Sequence, residues 1–498
     1  MQSPRTTDGA TPLYDVAAVR RAEAQAIALL GGDDFELMRR AGAAAWRFLL
    51  EHWPGAQRIV VACGPGNHGG DGYVLALHAL EAGRDVRVLH ADGQEPVSVL
   101  ARRACAAFVD AGGTVLVVGG GLPTCDLVVD AVFGIGFDGR ADDASSALFA
   151  AVATSDADVL ALDVPSGVDA SCGDVPGIAV RATRTLQFIG HHAGLATGAA
   201  LDHVGALAMA SLDLPVEAFE DVRACAWRLR APALGALLPQ RPRTAHKGHA
   251  GHVLVAGGDY GMGGAALLAS AAALRAGAGL VSVATRAEHV APLLARTPEA
   301  MAHALDDAAE LPPLLAAADV CAIGPGLGRG RWGENLLAAV IAGARSLVVD
   351  ADALNLLAAS RRSLPADTVL TPHPGEAARL LGRTVREVQR DRIAAARTLC
   401  ARHGCVVVLK GAGTVVAAPG AGTWVIDAGN PGMAVGGMGD ALTGVIAALR
   451  AQGLPVAEAA VAGALLHAVA GDLAAVAHGD RGLLPSDLIE ALGQAGQA

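Results

Sequence analysis

Near the C-terminus, Asn430-Pro-Gly-Met-Ala-Val-Gly-Gly-Met-Gly-Asp440-Ala-Leu-Thr-Gly444 delivers a lone carboxylate where a helix is expected to begin. Gly436, Gly437 and Gly439 allow positive φ and close approach to a ligand, and Ala441 to Leu449 has helical composition. The unpaired amides of a helix start face any anion placed there. An isolated acid beside such amides suits one chemical step: Asp440 takes the proton of a hydroxyl while the amides hold the phosphoryl group that the oxygen attacks. Aspartate also caps helices, so the residues around it must decide between the two roles.

A second glycine turn lies upstream. Arg58-Ile-Val-Val-Ala-Cys63 reads as a buried parallel strand, followed by Gly64-Pro-Gly-Asn-His-Gly-Gly-Asp-Gly72 and a helix expected from Tyr73 to Glu81. Strand, glycine turn and helix in that order form a phosphate or dinucleotide loop, and Asn67 and Asp71 add polar groups for ribose hydroxyls or a cation. Asp130 leads into Ala-Val-Phe-Gly-Ile-Gly136 and Asp163 into Val-Pro-Ser-Gly167. A single strand-end Asp is usually a turn cap. Three such ends converging on one crevice bring Asn67, Asp130 and Ser166 together as hard oxygens of the kind a monovalent cation accepts.

These residues need a scaffold that gathers strand ends. Two amphipathic helices, Val16 to Ile27 and Phe35 to Leu50 with Asp33 or Asp34 as cap, precede the first strand. Strands and helices then alternate, which predicts a doubly wound parallel sheet with ligands beyond its C-terminal strand ends. A proline-bearing stretch without periodicity, 221–242, reads as a junction between domains at 1–220 and 243–498. The second domain repeats the pattern: His252 to Ala256 enters Gly257-Gly-Asp-Tyr-Gly-Met-Gly-Gly264, Ser346 to Val349 enters Asp350-Ala-Asp-Ala-Leu-Asn355, Thr368 to Leu370 enters Thr371-Pro-His-Pro-Gly-Glu376, and Val406 to Leu409 enters Lys410-Gly-Ala-Gly-Thr414. The fold class is α/β throughout. His373, between two prolines, is either a turn residue or a strand-end ligand.

The 498 residues carry a formal charge of -11 and no Lys/Arg cluster, which argues against nucleic acid as partner. Eight scattered cysteines without C-x-x-C spacing read as reduced thiols, and no structural zinc is expected. The first residues lack an apolar core, and no uncharged stretch reaches the roughly 18 residues of a membrane span, so the expectation is a cytoplasmic protein without a membrane partner.

Residues 14 to about 215 resemble the YjeF N-terminal family, the epimerase half of bifunctional NAD(P)H-hydrate repair enzymes, through G-x-G-N-N-G-G-D-G, D-A-x-F-G-x-G and D-x-P-S-G. The resemblance implies a Rossmann-like three-layer sandwich that interconverts the R and S hydrates of NADH and NADPH. It implies hydrate contacts from Asn67, His68, Gly69, Gly70 and Asp71, from Gly134, Ile135, Gly136, Phe137, Asp138, Gly139 and Arg140, and from Asp163, which is also the candidate acid/base. Potassium is expected near His68, Asp130 and Ser166. The chain departs from the family at His68, where the pattern has a second asparagine that binds potassium, and at His192, where it has a lysine. Imidazole is a poor ligand for a hard monovalent cation, but the carbonyl can serve, and retained epimerisation is expected.

Residues from about Leu229 to Leu492 resemble the ribokinase-like dehydratase half of the same family, through H-K-G-x-x-G, G-P-G-L-G, D-A-D-A-L-N, T-P-H-P-G-E, L-K-G-A-G-T and N-P-G-M-x-x-G-G-x-G-D. The resemblance implies hydrate contacts from Ala265, Gly328, His373 and Asp440, and nucleotide contacts from Lys410, Gly411, Ala412, Gly413, Thr414 and Gly439. It implies ADP as phosphoryl donor and NADH and NADPH hydrates as substrates; no acid cage for magnesium is evident, so that ion is expected to arrive with the nucleotide, and a homo-oligomer is expected. The alternative is a ribokinase-superfamily small-molecule kinase fused to a nucleotide-binding module. A non-catalytic dinucleotide sensor would lack Asp440 and its anion turn.

Overall fold

Strands that are apolar on both faces need cover on both sides, and helices alternating with strands supply it. The computed structural model describes residues 9–119, 121–137, 139–238, 240–360 and 362–497. They form two compact units, Pro12–Ala226 and the rest from Trp227 onward together with residues 9–11.

In the first unit seven strands make one sheet: β1 (Arg58–Cys63), β2 (Asp85–His90), β3 (Thr114–Val117), β4 (Leu127–Ala131), β5 (Asp158–Leu162), β6 (Arg184–Phe188) and β7 (Ala206–Ala210). Their order is β3-β2-β1-β4-β5-β6-β7, and all neighbours are parallel. The order reverses between β1 and β4, the switch point at which such sheets open a ligand crevice. Helices α1 (Val16–Leu29) and α2 (Asp34–His52) precede the sheet, and Asp33 caps α2 by accepting from the Phe35 N–H. Helix α3 starts at Asn67 and runs to Glu81, earlier than the expected Tyr73. The glycines read as a turn are mostly helical: a Cβ on Gly69 would lie 2.0 Å from the Gly64 carbonyl, so glycine is required there for close helix–strand packing.

The second unit holds β8 (Ala226–Leu229), β9 (His252–Ala256), β10 (Leu280–Thr285), β11 (Met301–Ala304), β12 (Val320–Ile323), β13 (Leu347–Val349), β14 (Thr368–Leu370), β15 (Val406–Leu409), β16 (Thr414–Ala418) and β17 (Gly422–Ile426). They run in the order β11-β10-β9-β12-β13-β14-β15-β16-β17-β8. Strands β11 to β15 are parallel, and the β16–β17 hairpin continues antiparallel. The stretch read as a structureless junction contains β8, which pairs in parallel with β17, Trp227 against Trp424. Four residues are too few to display a period, so partner burial sets that strand.

Helices α4 (Gly263–Arg275) and α5 (Met438–Ala451) pack on this sheet with α6 (Val456–His478) and α7 (Pro485–Ala495). By length and composition α6 could cross a membrane, yet 78% of its apolar window is buried inside the unit. Its Ala, Gly and Leu surface serves as core against α5.

Candidate active site

In the first unit a cavity of about 740 Å³ opens at the switch point, walled by α1, α2, the start of α3, the loop after β4 and Asp163. Its wall includes Asn67, His68 and Asp71, and Gly134, Ile135, Gly136, Phe137, Gly139 and Arg140. Asp138 falls outside the described residues. Gly69 and Gly70 face packing partners instead, Gly64 and Met38. Arg20 and Glu23 of α1 also reach the wall. They were missed because α1 reads as a packing element, and nothing in its sequence separates a cavity-facing charge from a solvated one.

Asp163 follows β5 with φ 60, a left-handed conformation rare for a residue with a Cβ. Its carboxylate accepts from the Phe188 N–H at 3.1 Å and from His192 Nε2 at 2.6 Å. Burial works to raise this carboxyl, but the charge and hydrogen bond of His192, with His68, outweigh it and hold Asp163 below the usual carboxylate value. Asp71 behaves oppositely: burial, aided by the charge of Asp163 and opposed by His68, pushes it up to about 6. His68 lies 3.6 Å from Asp71; burial would lower its imidazole, yet the surrounding Asp71, Asp163 and Asp130 raise it. The cavity thus holds one acid kept ionised and one that titrates nearer neutrality, values pushed apart by their surroundings as acid/base chemistry requires.

Asp130 and Ser166 do come together, but not in the cavity wall. The Ser166 hydroxyl donates to Asp130 Oδ1 at 2.6 Å and its N–H to Oδ2 at 2.8 Å, while Phe133 N–H donates to Ser166 Oγ. Asp130 is raised by burial against these hydrogen bonds. Among the described residues no group of three or more His, Cys, Asp or Glu side chains is placed to hold a metal ion.

In the second unit Gly437 precedes α5 as its N-cap, with a φ of 97 that only glycine adopts freely, so the turn swings round to start the helix at Met438. Gly436 and Gly439 do not share that conformation. Asp440 lies in the first turn of α5 and does not cap it, and its carboxylate takes no hydrogen bond among the described residues. Burial first, then Asp350 and Asp352, against the pull of Lys410, push Asp440 up to about 7. A carboxylate poised near neutrality and left unpaired is suited to accept a proton.

Beneath it, sequence-distant residues meet. Lys410, after β15, donates to Asp350, after β13, at 2.5 Å; Thr443 of α5 donates to the other oxygen of Asp350 at 2.9 Å. Glu376 lies 4.0 Å from the ammonium and is pushed up to about 7, mainly by burial. A Cβ on Gly439 would sit 3.1 Å from Lys410 Nζ, which places the cation directly under the first turn of α5. The partnership of Asp350 with Lys410 spans sixty positions and carries no local signal in the sequence. Behind the 410–414 loop the buried Arg392 donates to the carbonyls of Leu409 and Lys410. Thr414 Oγ1 donates to the Gly411 carbonyl.

The remaining expected contacts sit around this cluster. His373 caps the helix Pro374–Leu381, accepting from the Gly375 N–H, and its ring is half exposed 3.4 Å from Glu376. Its capping role follows the turn reading, and the contact to Glu376 Oε1 is made by Nε2. Gly328, at φ 70, donates to Asp352. Ala265 lies in the first turn of α4.

Residues 253–494 match the family described as NAD(P)H-hydrate dehydratase, and residues 34–194 match the YjeF-related protein N-terminus. Bifunctional NAD(P)H-hydrate repair enzymes of Coxiella burnetii and Escherichia coli are 46% and 43% identical to the chain; the alignments cover 96% and 95% of it, and 98% and 92% of those proteins. The chain belongs to the bifunctional NAD(P)H-hydrate repair enzyme family. A ribokinase-like superfamily protein from Enterococcus faecalis, 33% identical with a TM-score of 0.51, is covered to 95% by 54% of the chain. Membership in the repair family accounts for both units, which the alternative of a simple kinase with an added module does not.

Proposed function

We propose that the chain repairs hydrated nicotinamide dinucleotides by two activities, one in each unit. The second unit dehydrates the S hydrate of NADH or NADPH with ADP as phosphoryl donor. Asp440 takes the proton of the ring hydroxyl, the oxygen attacks the terminal phosphorus of ADP, and AMP leaves. Phosphate departs far more readily than hydroxide: the ring nitrogen's lone pair expels it, and loss of a proton from the neighbouring carbon restores the double bond. Amides at the start of α5, from Gly437 to Gly439, with Lys410 below them, offset the negative charge during transfer. The 410–414 loop and Gly439 hold the nucleotide, while Ala265, Gly328 and His373 bound the hydrate. Magnesium would be held by phosphate oxygens and water; among the described residues no group of three or more His, Cys, Asp or Glu is placed for it.

The first unit interconverts the R and S hydrates in the 740 Å³ cavity, with Asp163 as base and Asp71, raised to about 6, as the group that exchanges a proton nearer neutrality. The adjacent oxygens of Asp130, Ser166 and the Phe133 carbonyl suit potassium. His68 faces Asp71 and the cavity, so its ring serves the hydrate and only its carbonyl could serve the ion. The setting is the cytoplasm.

The observation that carries this reading is the unpaired, proton-ready Asp440 in the first turn above Lys410. The test is recovery of reduced-nicotinamide absorbance from mixed R and S NADH hydrate with ADP. Full recovery by the intact chain, lost in Asp440→Asn, supports both activities. A halt after the S form alone removes the epimerase, and no recovery with ADP or ATP removes the repair reading.

A further inference from the structure

The Asp163 carboxylate reaches the cavity while the side chain behind it is fully buried. His192 has no exposed side-chain surface, and its Nε2 donates to Asp163 Oδ1 at 2.6 Å. Its other ring nitrogen, Nδ1, is buried without a partner, so all the hydrogen-bonding capacity the ring uses is directed at that one carboxylate. The backbone holds the ring in place: the His192 N–H donates to Gln187 Oε1 at 2.8 Å, Gln187 Nε2 lies 3.2 Å from His191 Nδ1, and residues 191–192 pair with Leu13 and Tyr14. Asp163 is itself in an unusual left-handed conformation, fixed by Asp163 N–H donating to the Leu186 carbonyl and by its acceptance from Phe188 N–H. Several elements thus converge to set the geometry of a single pair.

We infer that His192 is a positioning residue for epimerisation, holding Asp163 aimed at the cavity as an ionised base. It stands where the family pattern has a lysine, another side chain that carries N–H donors. The departure at this position is therefore one donor-bearing side chain for another. The inference rests on Asp163 serving the epimerase, as proposed above. His192 acts through Asp163, so its loss lowers turnover without weakening substrate capture, since only Asp163 faces the cavity. That separates it from a residue that merely supports the fold.

The test follows epimerisation of purified R NADH hydrate by the full chain, its S product removed by the ADP-dependent step in excess. Asp163→Asn, His192→Gln, His192→Lys and the Asp163→Asn/His192→Gln double variant are compared. For His192→Gln the expected result is kcat down about 100-fold with KM within about twofold. His192→Lys is expected within about tenfold of the parent, because an N–H donor remains behind the carboxylate. The double variant is expected to match Asp163→Asn, since a group acting only through another has nothing left to act on. Parent-like turnover in His192→Gln, loss confined to KM, or a double variant slower than Asp163→Asn by the full His192→Gln factor each overturn the inference. If the Gln variant does not fold, His192→Lys decides: a folded Lys variant with preserved kcat supports the pair, and a folded one with collapsed kcat overturns it. Full activity in Asp163→Asn instead removes the assignment of Asp163, a different failure.

Discussion

Asp440 gains its reactivity by being denied partners. Asp350, by contrast, accepts two hydrogen bonds, one from Lys410 and one from Thr443, and stays buried beside the ammonium. Because Asp440 must be ionised to accept a proton, dehydration is expected to rise with pH through about 7 and level off above it, read as kcat across pH 5 to 9. Asp350→Asn removes one of the charges that raise Asp440, so the acidic limb of that profile should move to lower pH, provided hydrate and ADP still bind. The linkage runs the other way for stability. A carboxyl raised from 3.8 to about 7 favours the folded state below about pH 4, and that contribution is lost as pH rises through about 7. Asp440→Asn should therefore melt higher than the parent at pH 8, by on the order of 1 kcal/mol after solvent screening, while losing dehydration. Parent-like melting at pH 8 would count against the burial described for this side chain.

Elements decide where these groups go. Each predicted strand ended close to where it does in the structure, because a parallel sheet buries runs such as Val406 to Leu409 on both faces and its loops begin where burial stops. The site motifs were legible for that reason. The start of α3 was not: three glycines within six residues look like a turn until Gly64 is known to lie against Gly69. The hairpin β16–β17 and β8 escaped notice because short strands paired far along the chain carry no period of their own. Pairs such as Asp163 with His192 and Asp350 with Lys410 depend on strand order, which composition cannot reveal. Two glycines give direct tests. Gly69→Ala forces a Cβ into the Gly64 carbonyl and should cost about 1–3 kcal/mol of first-unit stability, measured by thermal unfolding. Gly437→Ala strains a left-handed position by about 1–2 kcal/mol and should weaken dehydration while epimerisation continues.

At the scale of the molecule, each unit owns a separate core, one around Tyr73, Phe108 and Leu160, the other around α5 and α6. Calorimetry should therefore resolve two transitions, and ADP should raise only the one that belongs to the second unit, by the usual mass-action relation. A single transition that moves as a whole with ADP would contradict independent cores. The bifunctional character was readable because motifs of both halves stand in order along the chain.

Helix α6 has a consequence for how the protein is made. All ten strands of its unit precede it in the chain, and the sheet face it covers has no apolar partner of equal length before it. During translation the first unit can close while the ribosome is still at work, but in the second, strands β14 to β17 must wait with one face uncovered until residues 456–478 leave the exit tunnel. A nascent chain arrested just short of Val456 should be a strong client for holding chaperones, and slow decoding in that last stretch would lengthen the exposure.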